Sequence, residues 1–138
     1  MRAGLFAAFF LAAAVCAALA QVSTVPEGWT FALPAGDPAA GEKVFRENMC
    51  ASCHDVSGKT FERVERSGEL APTLTARTAA MPAEYLAHRF ISTDRFLPHG
   101  AYKATYSRSD GSSRMGNYNE SMTVQELIDL VAFIKSIE

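Results

Sequence analysis

Two cysteines and a histidine stand together in the short stretch CASCH. Cys50 and Cys53 are three positions apart, and His54 follows the second cysteine directly. Thiols at this spacing can form a redox dithiol, part of a zinc site or a local disulfide. A thioredoxin-like dithiol needs a preceding strand, and no convincing strand pattern occurs. A structural zinc site needs four ligands, and the other histidines, His88 and His99, are isolated. A disulfide across this spacing is strained inside a helical turn.

One chemistry uses all three side chains at once. C-x-x-C-H is the attachment signature of c-type haem. The two thiols add across the two vinyl groups of the porphyrin, and on a helical turn Cys50 and Cys53 share a face. His54 is then brought under the iron as its proximal ligand. The motif therefore predicts one covalently bound haem c per chain.

The first twenty residues have the pattern of an export signal. Arg2 supplies a positive end, an apolar run follows, and residues 18–20 form an A-x-A cleavage site before Gln21. Haem is joined to such motifs outside the cytoplasm, so the pattern predicts a periplasmic protein. The alternative is an uncleaved segment, in which case the protein would be held at a membrane.

Length and charge limit the remaining possibilities. The chain of 138 residues suffices for one domain, and we expect an extended leader over residues 21–36 followed by a domain over residues 37–138. The formal net charge is −2. Because a nucleic-acid partner requires a basic face, this mild acidity predicts no nucleic-acid partner.

The cysteine motif is expected to follow a helix. Asp37 is a typical N-cap and Pro38 a typical first helical residue. The helix is predicted to continue into the CASCH motif, with Met49 in the core. Gly41 lowers the helix propensity, and its presence indicates the close approach of another helix.

The last helix gives the clearest pattern. Thr123 is its N-cap, and Glu126 completes a capping box. Its apolar stripe comprises Val124, Leu127, Ile128, Leu130, Val131, Phe133, Ile134 and Ile137. Residues 81–93 predict another helix, and residues 92–117 read as a long loop of the kind that often carries function. The predicted fold is all-α, with three to five helices and long loops.

These features resemble the class I mono-haem cytochromes c. The resemblance rests on GEKVF leading to CASCH, on APTL at 71–74, on a methionine before the final helix and on MTVQELIDLVAFI. It implies a cytochrome c-like domain in which the first and last helices cross, Gly41 meeting Phe133. It also implies that the carbonyl of Pro72 accepts a hydrogen bond from the proximal imidazole, which would fix the ring. Ala71 departs from the pattern, since the family usually has glycine there.

The second axial ligand of the iron has several candidates. They are Met49, Met81, Met115, Met122, His88 and His99. Met115 is followed by Gly116 in the loop that leads to the last helix, where the resemblance places the axial methionine. A thioether ligand raises the reduction potential. The metal ligands are therefore predicted to be His54 and Met115, with His99 or an open site as alternatives.

The predicted function is electron transfer rather than catalysis. A His54 and Met115 ligand pair would let one haem shuttle single electrons between periplasmic redox partners. The alternative is a haem c subunit of a dehydrogenase or sulfur-oxidising complex, with Arg108 and Arg114 near a docking surface. A third hypothesis is an open-site haem protein that binds a small ligand, with His99 as its distal acid–base residue.

Overall fold

A computed structural model describes residues 28–62, 71–97 and 103–138. The predicted signal segment (residues 1–20), the first part of the leader and His99 lie outside the described residues. The chain divides into two units, residues 1–31 and 32–138. Within the described ranges, no helix has the length and apolar character needed to cross a membrane.

The described chain is built from helices of unequal length. They are α1 (Pro38–Glu47), α2 (Ala76–Ala79), α3 (Ala83–Ile91), α4 (Lys103–Tyr106) and α5 (Val124–Lys135), with 3₁₀ helices at Cys50–Ser52 and Thr93–Phe96. Helices α1, α2 and α3 all pack against α5. In the described ranges, extended pairing is limited to isolated bridges. The predicted all-α fold is confirmed.

The crossing of α1 and α5 forms the centre of the core. Gly41 of α1 is buried against the α5 backbone. A methyl group at Gly41 would lie 2.8 Å from the Cβ of Phe133 and closer still to the carbonyl oxygen of Asp129. Only glycine permits this approach without a shift of the helices. The ring centroids of Phe45 and Phe133 are 5.3 Å apart, which locks the crossing with an aromatic pair.

The start of α5 has the predicted capping box, but the predicted apolar stripe does not include its first residue. The backbone N–H of Thr123 donates to the Glu126 carboxylate at 2.7 Å, and Thr123 accepts the Glu126 N–H in return, so the predicted capping box is present. Val124, predicted in the apolar stripe, is 74% exposed, because it lies in the first turn. Asp129 is buried instead, where its Oδ1 accepts the Asp37 N–H and the Gln125 amide, each at 2.9 Å.

The chain between α1 and the cysteine motif breaks the predicted continuous helix. Helix α1 ends at Glu47, and Met49 adopts the left-handed conformation with φ of 54°. A left-handed residue just beyond a helix end redirects the chain, and the 3₁₀ turn at Cys50 follows. The prediction of Met49 in the core is wrong, since this turn leaves its side chain 62% exposed.

The predicted long loop at 92–117 contains more structure than its pattern indicated. In its described part lie the second 3₁₀ helix and α4, each of four residues, and an antiparallel bridge between Ser107 and Ser113. Elements of this length are too short to give a periodic apolar signal. The prediction of an irregular loop is therefore wrong for this part of the chain.

Candidate haem site

The CASCH stretch is wound into a single turn. The backbone N–H of Cys53 donates to the carbonyl of Cys50 at 3.2 Å, and the N–H of His54 donates to the same oxygen at 2.9 Å. Cys50 is buried and Cys53 is exposed, and the two are not joined by a disulfide. The strained disulfide considered from the sequence is therefore not formed, and both side chains keep the thiol that covalent attachment requires.

The imidazole of His54 has one nitrogen engaged by the backbone. Its Nδ1 lies 2.8 Å from the carbonyl oxygen of Pro72. Because a carbonyl oxygen can only accept, Nδ1 must carry the proton and donate it to this bond. The other nitrogen, Nε2, then keeps its lone pair. An imidazole in this tautomer is a metal ligand whose orientation and basicity are set by the acceptor behind it.

A short backbone bridge between two segments that are remote in sequence fixes the position of the Pro72 carbonyl. The backbone N–H of Leu74 donates to the Asp55 carbonyl, and the N–H of Ser57 donates to the Leu74 carbonyl, both at 2.8 Å. These bonds form a parallel bridge between Val56 and Leu74. The residues just after His54 are thus fastened to those just after Pro72. The carbonyl that orients the imidazole is held by backbone bonds rather than by flexible side chains.

The surroundings of the His54 imidazole favour its neutral form. Burial lowers the pKa of His54, the hydrogen bond to Pro72 raises it, and the nearby Arg89 cation lowers it again. Arg89 belongs to α3 and packs over the rings of Tyr85 and Phe96, 5.9 and 5.3 Å from their centroids. A neutral imidazole is the form that binds a metal, so these effects favour a ligand role for His54.

The same geometry disfavours the other roles of the two thiols. Burial raises the pKa of the Cys50 thiol to about 11. A redox dithiol needs a thiolate with a lowered pKa as its nucleophile, and Cys50 has the opposite tendency. Across residues 28–62, 71–97 and 103–138, no group of three or more His, Cys, Asp or Glu side chains is arranged to hold a metal ion. The zinc alternative therefore lacks a ligand set in this part of the chain.

A tyrosine in the Met115 segment lies within electrostatic range of the two cysteines. Met115 is partly buried, and the Tyr118 ring lies over Gly116, where an added methyl would be 3.8 Å from the tyrosine Cζ. Burial raises the pKa of Tyr118 to about 12, and the nearby thiols of Cys50 and Cys53 contribute to that rise. The segment after Met115 thus passes close to the cysteines. Sequence reasoning missed Tyr118, because nothing in its local pattern marks it.

The other candidates for the second axial position have different surroundings. Met49 faces outward from its left-handed turn. Met81 and Met122 pack against the hydrophobic core. The His88 ring packs edge-on against Phe96, with 4.9 Å between ring centroids. His99 lies outside the described residues.

Comparison with known families agrees with this geometry. Two thiols on one turn and a neutral imidazole that keeps the lone pair of Nε2 are the donor set that haem c requires. A family model described as Cytochrome c matches residues 38–138, well over half of the chain and all of the site. No curated protein matches the sequence. On this match and this fold, the chain belongs to the cytochrome c family, whose cofactor is covalently attached haem c.

Proposed function

We propose that this protein is a single-haem electron carrier that passes one electron at a time between periplasmic redox proteins. Cys50 and Cys53 would form the thioethers, and His54 and Met115 would be the axial ligands. When bound, the haem supplies a one-electron iron couple whose potential depends on the axial ligands. The residues of the chain would hold that couple and orient it.

The observation that carries the proposal is the hydrogen bond between His54 and Pro72. The 2.8 Å contact engages Nδ1 and fixes the rotation of the ring, so Nε2 keeps a constant direction. The backbone pairing of Val56 with Leu74 holds the acceptor in place. A ligand fixed in this way needs little movement when the charge of the metal changes. Small reorganisation is what a carrier requires.

The position of the Met115 segment supports methionine as the second ligand. Tyr118 lies over Gly116 and within electrostatic range of the cysteine thiols, which is consistent with a Met115 segment on the side of the attachment turn. The packing of Met122 against the core engages that side chain elsewhere. A soft thioether opposite an imidazole favours the reduced metal, as suits a protein that accepts electrons and releases them again.

The test compares two methionine variants of the holo protein. Met115→Ala should abolish the methionine-to-iron charge-transfer band of the ferric protein and open the site to carbon monoxide in the ferrous protein. Met122→Ala is the matched control, because it removes a thioether seven positions along the same segment. It should retain the band and exclude carbon monoxide.

The outcomes separate the carrier from the open-site hypothesis. Loss of the band in Met115→Ala alone supports the His54 and Met115 pair. If the band survives in Met115→Ala, the ligand assignment is wrong. If the unaltered protein lacks the band and binds carbon monoxide, the open-site hypothesis replaces the carrier.

A second candidate, a haem c subunit of a dehydrogenase or sulfur-oxidising complex, is favoured by one observation. Trp29 and Phe31 are 60% and 64% exposed. Large exposed aromatic side chains are common at protein–protein interfaces. Purification from the native host discriminates between the two candidates. A larger catalytic chain that co-elutes with the unaltered protein but not with a Trp29→Ala/Phe31→Ala variant supports the subunit. A single small haem protein supports the carrier.

Export is also part of the proposal. Cytochrome c domains are typically exported in bacteria. The signal pattern at residues 1–20 supports cleavage before Gln21. N-terminal sequencing of the haem protein from a periplasmic extract should begin at Gln21. A chain that keeps residues 1–20 and sediments with membranes would favour the anchored alternative.

A further inference from the structure

A small hairpin leads directly into Met115. The backbone N–H of Arg108 donates to the Ser112 carbonyl at 2.8 Å, and the N–H of Arg114 donates to the Tyr106 carbonyl at 2.9 Å. These two bonds flank the antiparallel pair of Ser107 and Ser113. Met115 is the next residue after this paired segment, so its backbone position depends on where the hairpin lies.

Two arginine side chains stiffen the hairpin from opposite strands. The Arg108 guanidinium donates to the carbonyl oxygen of Ser113 and, at 3.4 Å, to that of Arg114. The Arg114 Nε donates to the carbonyl of Ser107 at 2.9 Å. Each strand is thus tied to the backbone of the other. The hairpin should move as one body, and any hold on it also constrains Met115.

One carboxylate outside the hairpin holds it to the rest of the domain. The backbone N–H of Ser113 donates to Oδ1 of Asp94 at 2.6 Å, across nineteen positions of sequence. The ladder bonds of the hairpin use its neighbours Ser112 and Arg114, so this N–H points away from the paired strand. Asp94 belongs to the second 3₁₀ helix (Thr93–Phe96), in which Thr93 is buried. The hydrogen bond from Ser113 to Asp94 therefore joins the hairpin to a 3₁₀ helix that contains a buried residue.

We infer that Asp94 is a positioning residue for Met115, and that its bond to Ser113 maintains methionine ligation. The inference rests on the proposed function, in which Met115 binds the iron. A hydrogen bond to a carboxylate is stronger than a neutral one, and this bond lies two residues before the ligand. Without it the hairpin keeps its internal bonds but loses this link to the second 3₁₀ helix. The thioether then competes less well with an external ligand.

The experiment measures that competition by titrating the ferric holo protein with imidazole, which displaces an axial methionine. Asp94→Ala should bind imidazole roughly tenfold more tightly than the unaltered protein, the effect expected for one charge-assisted hydrogen bond at a partly exposed site. Asp94→Asn keeps an oxygen acceptor but not the charge, and should recover roughly half of the difference in binding free energy. The thioethers and His54 should be unaffected, because neither depends on the hairpin.

Asp110→Ala is the matched control. Its Oδ1 accepts from the Ser112 N–H and hydroxyl at 2.9 and 2.7 Å, within the turn of the same hairpin. The variant removes the same charge close by but leaves the bond between the hairpin and the second 3₁₀ helix intact. Its imidazole affinity should remain near that of the unaltered protein. Equal effects of Asp94→Ala and Asp110→Ala would mean that charge alone acts, and would overturn the inference.

A backbone variant keeps the test valid if Asp94→Ala folds poorly. Ser113→Pro removes the N–H that donates to Asp94 without removing a charge, so it should also raise imidazole affinity. Suppose that Met115→Ala loses the charge-transfer band but imidazole affinity is unchanged in both Asp94→Ala and Ser113→Pro. The inference about Asp94 is then wrong, whereas the proposed Met115 ligand stands. If Met115→Ala retains that band, the proposed ligand and this inference are both wrong.

Discussion

Gly41→Ala provides a sharp test of how the first and last helices meet. By helix propensity alone, alanine should stabilise α1 by about 1 kcal/mol. The added methyl would instead lie 2.8 Å from the Cβ of Phe133 and even closer to the Asp129 carbonyl. Carbon atoms need about 3.5 Å, so α1 must move away from α5 by at least roughly 0.7 Å. Neither obstacle is the free end of a side chain, so local rotation cannot relieve the clash.

The cost follows from that displacement. Overpacking a well-packed core costs about 1–3 kcal/mol, and a gap of 0.5–1 Å forfeits roughly a quarter to a half of the contact energy at its lining. Phe45 and Phe133, which meet at this crossing, are among the most completely buried side chains of the described residues. After the gain in propensity is subtracted, overpacking alone leaves a loss of about 0–2 kcal/mol, and the weakened contacts of the two rings add about 1 kcal/mol each. We therefore expect a net loss of about 2–4 kcal/mol in the free energy of unfolding, out of about 5–15 kcal/mol for a typical domain.

Urea unfolding of the ferric holo protein measures this loss, with Gly58→Ala as the control. Gly58 has a φ of 71°, and no atom lies within 4 Å of the position that an added Cβ would take. Alanine there pays only for its left-handed backbone, about 1–2 kcal/mol. Gly41→Ala should therefore be the more destabilised variant. A Gly41→Ala protein as stable as the original, or one less affected than Gly58→Ala, would refute the proposed steric cause.

Two further predictions concern residues next to the site. Met49→Gly should raise the free energy of unfolding by about 1 kcal/mol, because glycine adopts the left-handed conformation without strain. Little burial is lost, since the methionine side chain is exposed. A fall in the thermal midpoint of Met49→Gly would contradict this prediction. Hydrogen bonds from Lys59 and Arg46 hold the pKa of Glu42 below its ordinary value of 4.5. Its contribution to stability is therefore full above that value and lost as the pH falls through the lowered folded value. Glu42→Gln should lose less stability than the original protein between about pH 6 and pH 3, and parallel urea midpoints for the two proteins over this range would contradict the sign.

Features that depend on adjacent residues could be predicted from the sequence. The cap at Asp37 and the capping box of Thr123 and Glu126 are present, because a cap is formed by side chains within three residues of the backbone groups that they bond. The close approach at Gly41 was also predicted, since a glycine inside an apolar helix needs a packing reason. The cap signals have a range of about one helical turn, and the glycine indicates that another helix comes close without specifying the contact.

Features that depend on remote contacts could not be predicted in this way. Val124 has the apolar character of the stripe but faces outward, whereas Asp129 is buried because it accepts a bond from Asp37, ninety-two positions away. One local signal for the burial of Asp129 was present in the sequence. Gln125 lies four residues earlier on the same helix face, where its amide can donate to the carboxylate. Met49 was expected in the core, and its exposure follows from a backbone angle that its residue type rarely adopts.

The sequence by itself determined the chemistry of this protein, because two thiols and an imidazole at the C-x-x-C-H spacing are the attachment signature of haem c. The tertiary structure decided how that chemistry is held. The carbonyl of Pro72 that engages His54 is eighteen positions away, and the carboxylate of Asp94 that holds the Met115 hairpin is nineteen positions from Ser113. Such contacts exist only after the packing of the helices has brought separate loops together. Covalent spacing fixes which groups can react, whereas long-range packing fixes how they are oriented.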